Sequence, residues 1–198
     1  MPHYRRQESA SGYYHVLARG QNRKEIFLDE TDYRCYLQFF VRFKEEFPCK
    51  CYHFCLMPNH VHLLLHTENL AILSALMRRA QQAYQFHWRR RYDLVGHLWQ
   101  GRFKSIPIEE ESYLLECGRY IERNPIRAEL CTSPEDYPWS SAHDYLLDQP
   151  KRWGFIDPNP SYLGIGSSEQ LRQKHYREYV TNARPYETLL DQQLQALT

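Results

Sequence analysis

KCYHFCLMPNHVHLLLH (residues 50–66) has the pattern of a β-hairpin. Lys50 to Leu56 is rich in aromatic and small apolar residues and reads as one strand. Met57-Pro58-Asn59 has turn chemistry, and His60 to His66 reads as the returning strand. Strands alternate their faces, so His60, His62 and His66 share one side while Val61, Leu63 and Leu65 share the other. A strand as apolar as His60–His66 belongs in the middle of a sheet, and the rest of the chain must supply the neighbouring strands.

Those neighbours are legible on both sides. Gly12 to Arg19 reads as a first strand ended by Gly20. Asp29 to Phe47 reads as a helix: Asp29 and Thr31 are candidate caps, and Tyr33, Tyr36, Leu37, Phe40 and Phe43 recur at helical spacing. Asn69 to Tyr92 is a long helix with Leu70, Leu73, Leu76, Met77, Ala80 and Tyr84 on one side. Phe103 to Ile108 reads as a strand. Glu109 to Arg123 reads as a helix whose acidic start suits the helix dipole, with a break at Pro125. Beyond Pro138, Trp139-Ser140-Ser141 caps a short helix to Leu147, residues 148–166 read as a loop, and Ser168 caps a polar helix to about Asn182. A short helix ends the chain. The fold class is α+β: a mainly antiparallel central sheet with packed helices and a C-terminal helical extension. Residues 1–11 form a mobile basic tail, 12–146 the main domain, and 147–198 the extension.

With 198 residues, 42% of them hydrophobic, one domain with a sizeable core is expected. Six cysteines do not make a disulfide scaffold at this length, and there is no signal peptide or apolar run of membrane length. Cys49, Cys51 and Cys55 lack the spacing of structural zinc sites and read as buried strand residues. A reducing, cytoplasmic setting without membrane contact follows as an expectation. Net charge is only +1, but it is segregated. Residues 69–108 carry seven Arg or Lys against one acid, whereas 109–138 carry eight acids against three arginines. Such segregation fits a face that binds a polyanion.

Two constellations carry chemistry. His60 and His62 can converge on one metal ion, though an isolated His-x-His is more often satisfied by hydrogen bonds. Tyr120 and Asn124, in GRYIERNPIRAEL (118–130), lie one helical turn apart on one face. A phenol beside a metal can serve as a nucleophile, and a carboxamide oxygen can ligate a hard cation. Taken alone, Tyr120 could be packing and Asn124 a helix terminator.

The order of MPNHVHLLL (57–65), LWQGRFKS (98–105), RYIERNPIRAEL (119–130) and YPWSSAHDY (137–145) resembles the REP-associated tyrosine transposases, in the His-hydrophobic-His superfamily of single-strand DNA nucleases. YYHVLARGQNRKEIF (13–27) and DETDYRCYLQFF (29–40) fit the same family, so the resemblance covers about residues 12–145. It implies a ferredoxin-like sheet, His60, His62 and Asn124 as ligands of Mg²⁺ or Mn²⁺, and Tyr120 as the nucleophile. It further implies a 5′-phosphotyrosine intermediate on a palindromic hairpin of the repetitive extragenic type, in a monomer or homodimer associated with the nucleoid. Two imidazoles and a carboxamide suit Mn²⁺ better than Mg²⁺, and either is expected to support cleavage.

Arg78, Arg79, Arg89, Arg90 and Arg91 on the long helix, and Gln100, Arg102 and Lys104 after it, are candidate DNA contacts. Arg5, Arg6, Arg19, Arg23 and Lys24 form a second basic group. Phe86, Trp88, Trp99 and Phe103 read as packing. Two other readings stand beside the transposase. A histidine-based phosphoesterase would not need Tyr120, and a DNA-binding module would carry an inactive site.

Overall fold

The computed structural model describes residues 6–93, 95–182 and 186–196. The hairpin is present as β2 (Cys49–Met57) and β3 (His60–Thr67), antiparallel, with His60 opposite Met57 and a register shift between Cys51 and His53. β1 (Tyr13–Arg19) lies on the other side of β3, and β4 (Lys104–Ile108) lies beyond β1. Every neighbour is antiparallel, in the order β2-β3-β1-β4. The hairpin strand β3 is therefore central, as its apolar composition required.

Two helices cross between strands. α1 (Glu30–Glu46) is capped by Asp29, whose carboxylate accepts from the backbone of Thr31 and Asp32, and α2 (Leu70–Tyr92) is capped by Asn69. They pack together beneath the sheet face that carries Tyr14, Val16, Leu63 and Leu65. The third helix, α3 (Ser112–Arg127), covers the opposite face, where His15, His53 and His62 lie.

α3 differs from expectation at both ends. It begins after the acidic run, and Glu109 instead accepts the backbone N–H groups of Ala10 (3.0 Å) and Ser11 (3.3 Å). The tail expected to be mobile is thus tied down from Arg6 onward. Arg6 donates to the Phe103 carbonyl at 3.1 Å and lies 3.7 Å over that ring. α3 also continues through Pro125 to Arg127. Proline removes the N–H that would bond the Ile121 carbonyl. The Asn124 side-chain amide fills the gap, donating to the carbonyls of Tyr120 (2.8 Å) and Ile121 (3.4 Å).

α4 (Ala142–Leu146) ends the main domain, and the extension adds α5 (Pro160–Gly164), α6 (Glu169–Thr181) and α7 (Tyr186–Ala196); α5 falls within the stretch read as loop. Tyr145, Tyr162, Tyr176 and Val180 make a second apolar cluster. The extension is joined to the sheet by a buried polar network. Glu122 accepts from the Ser141 hydroxyl (2.6 Å) and the Tyr176 phenol (2.8 Å) and lies 2.8 Å from His53 Nδ1, while His53 Nε2 lies 2.9 Å from the Asn159 amide. The segment before α4 and Asp157 of the extension lie along the free edge of β2. Leu56 donates to Trp139, Ser141 donates to Phe54, and Asp157 donates to Cys51. Among the described residues no helix is long and apolar enough to cross a membrane.

Candidate active site

The sheet face under α3 gathers four rings. His60 and His62, two apart on β3, have ring centroids 4.9 Å apart. Tyr120 stands edge-on to His62 at 5.8 Å and to His15 at 5.6 Å. His15 was not singled out in the sequence. Alternation along GYYHVLARG fixes its face, but nothing local shows that β1 borders β3. The register supplies that: Leu17 is opposite His62, so His15 is its diagonal neighbour. His66 lies on the same face, as expected, but near the far end of the strand, where it packs against Tyr13 at 4.7 Å.

The hydrogen bonds decide what these side chains can offer. His60 Nδ1 donates to the Asn59 amide oxygen at 2.5 Å, which leaves Nε2 with its lone pair. His62 Nδ1 lies 2.9 Å from His15 Nε2, so its Nε2 is the remaining nitrogen. Asn124 commits its amide nitrogen to helix carbonyls and keeps its oxygen as the available donor atom. Burial lowers the pKa of His60 to about 4, with Arg19 adding to the effect, and that of His15 to about 3. Burial, then His60, His15 and two arginines, hold His62 well below the ordinary range. All three rings are neutral near pH 7, the state that a metal ligand needs. Among the described residues no three His, Cys, Asp or Glu side chains gather as a metal site. Two imidazoles plus one carboxamide oxygen is nonetheless a donor set that suits a borderline divalent cation.

The Tyr120 phenol does not face open solvent. It donates to Asp191 of α7 at 2.8 Å, and Arg127 pairs with the same carboxylate. Burial, then the bond to Asp191, raises the phenol's pKa despite the nearby Arg127. One turn earlier on α7, Glu187 accepts from Arg119 and Arg123, both at 2.8 Å. α7 is thereby held across Tyr120 by two carboxylates on three arginines. No local pattern announces this contact, because residues some seventy apart meet.

The expected basic residues separate into groups. Arg19 stands opposite His60 in the β1–β3 register and, among the described residues, pairs with no carboxylate. Burial and then Arg23 lower its pKa. Burial, then Arg19, lowers Lys104 to about 8. These cations crowd one another beside the histidines, as in a site for phosphate. Arg23 and Lys24 lie on an exposed turn that Asn59 fastens by donating to the Arg23 carbonyl at 3.1 Å. Gln100 is exposed, and its backbone N–H donates to Arg19.

Arg6, Arg78 and Arg102 line a groove of about 710 Å³ between α2 and the 97–103 loop, along with Gln21, Gln81, Gln82 and Gln85. Other basic residues are engaged elsewhere. Arg91 clamps Asp29 (2.5 Å) and Asp32 (2.7 Å) at the start of α1, and Arg79 pairs with Glu46 at 3.3 Å. Both therefore brace α1. Arg89 and Arg90 are exposed at the end of α2, where Arg90 lies 5.9 Å over Phe86. Phe86, read as packing, is 65% exposed, whereas Trp99 and Phe103 are buried as expected. Trp88 is half-buried and donates to the Ile26 carbonyl at 3.0 Å. Arg5 lies outside the described residues.

Comparison with known proteins gives three findings. The family model described as "Transposase IS200 like" matches residues 8–124. A protein of Haemophilus influenzae described as a candidate REP-associated tyrosine transposase is 27% identical over 167 residues, which cover 78% of this chain and 94% of that protein. The solved structure of a REP-associated tyrosine transposase bound to a REP hairpin superposes with a TM-score of 0.64 at 21% identity, covering 78% of this chain and 92% of that one. The structural likeness shows a shared fold.

Proposed function

Because the chain belongs to the IS200-like transposase family, we propose that it is a divalent-metal-dependent, single-strand DNA endonuclease and strand-transferase acting through Tyr120. One observation carries this reading: the Tyr120 ring packs against His62, on a sheet face where His60 and His62 each keep Nε2 unengaged. His60, His62 and Asn124 would hold Mg²⁺ or Mn²⁺, which when bound polarises the scissile phosphate and offsets its developing charge. The Tyr120 oxygen attacks phosphorus, the bond to the 3′-oxygen breaks, and the 5′-phosphate stays on the phenol while the 3′-oxygen leaves as a hydroxyl. The covalent link retains the energy of the broken bond for rejoining, which hydrolysis would lose.

The substrate we propose is hairpin DNA with an unpaired flank; the solved relative is bound to a REP hairpin. Arg19 and Lys104 sit where they can receive the phosphate entering the site. The groove lined by Arg6, Arg78 and Arg102 has cations for a backbone and glutamine amides for base edges.

A labelled hairpin oligonucleotide incubated with Mn²⁺ is expected to give an adduct that survives denaturant, and Tyr120→Phe is expected to abolish it. An adduct on the phenylalanine variant would remove Tyr120 from its role. Cleavage without any adduct would favour a histidine-based phosphoesterase, and hairpin binding without cleavage a binding module.

A further inference from the structure

We propose that His15 is the positioning residue of the site: it fixes which nitrogen of His62 carries the proton and how that ring is presented. The inference rests on the metal reading of His60 and His62. His15 is fully buried on β1, its Nε2 2.9 Å from His62 Nδ1, with the two rings stacked at 5.1 Å and 30°. The same ring lies edge-on to Tyr120. It therefore touches both the ligand and the nucleophile.

A neutral imidazole carries one proton. For His62 to offer Nε2 to a cation, that proton must sit on Nδ1 and be donated to His15 Nε2. His15 then carries its own proton on Nδ1, which is buried and has no partner among the described residues. The reverse arrangement has His15 Nε2–H donating to His62 Nδ1, which puts a proton on His62 Nε2 and closes that nitrogen to metal. The pair thus has two states, and only one of them binds. Ligating histidines more often lean on a carboxylate. A neutral acceptor adds no negative charge beneath a site that must admit a phosphodiester.

The test uses the full chain and Mn²⁺ itself, read as loss of the free-ion signal in electron paramagnetic resonance. His15→Phe keeps an aromatic ring but removes the acceptor, and is expected to weaken Mn²⁺ binding about 10- to 100-fold. His15→Gln, whose amide oxygen can accept, is expected to restore most of it. Metal-free binding of a fluorescent hairpin is expected to stay unchanged in both. In the native protein with Mg²⁺, ¹⁵N shifts are expected to show His62 protonated on Nδ1 and His15 unprotonated on Nε2.

Native-level Mn²⁺ affinity in His15→Phe would overturn the proposal. So would equal weakening in His15→Phe and His15→Gln, or a Mg²⁺-loaded protein whose His15 is protonated on Nε2. The ¹⁵N measurement decides even where a variant fails to fold. A native protein that takes up no Mn²⁺ or Mg²⁺ would instead overturn the metal reading beneath it.

Discussion

At the scale of single residues, the site depends on three histidines being kept neutral. Burial lowers His60 to about 4 and His15 to about 3, from an ordinary value of 6.5. The unfolded chain takes up these protons near 6.5, whereas the folded chain resists until far lower. Stability conferred by the neutral rings is therefore complete above 6.5 and is lost as pH falls towards 4 and then 3. Each such proton contributes a slope of about 1.4 kcal/mol per pH unit. Urea unfolding in metal-free buffer should show a midpoint that drops steadily from pH 6.5 to 5; an unchanged midpoint would mean that the folded rings take up protons at the same pH as the unfolded ones. His60, His62, Tyr120 and Asn124 stand out as candidates in the sequence through the order of several separated motifs that resembles the transposases, since neither the His-x-His nor the Tyr–Asn spacing is specific alone. His15 does not, because its meaning depends on which strand lies beside it, and register is a long-range property.

At the scale of elements, α3 lies close on the sheet because Gly118 has no side chain. A Cβ there would stand 2.6 Å from His53 Nε2. His53 cannot swing away, since Glu122 and Asn159 hold both of its nitrogens. Gly118→Ala would ordinarily strengthen a helix by about 1 kcal/mol. Here overpacking should prevail and the protein should lose about 1–3 kcal/mol, read as a lower urea midpoint. A stabilised variant would show that α3 can lift without loss. Strand and helix positions were predictable from periodicity, and the errors have physical causes. Pro125 was read as a break because its missing N–H is visible in the sequence. The amide of Asn124 that compensates is visible only in three dimensions. Likewise the acids at 109–111 suited a helix dipole, but Glu109 serves backbone donors nearly a hundred residues away.

At the scale of the whole molecule, the extension touches the chemistry. Asp191 holds the Tyr120 hydroxyl and Glu187 holds two arginines of α3, so under the proposed function α7 would have to move or yield before a phosphate could meet the phenol. Asp191→Ala is expected to raise the yield of adduct several-fold without altering hairpin binding, measured by single-turnover gel assay. A fall in yield would make Asp191 a proton acceptor in the reaction. The sequence marked the extension only as a polar helical tail, because its decisive carboxylates meet partners on α3 across a long separation. The strip of chain at 139–141 and 157 has an effect of another kind. By occupying the outward hydrogen-bonding groups of β2, it gives the sheet a finished border. Two copies of this chain cannot fuse their sheets along that side, so any pairing between molecules has to use other surfaces.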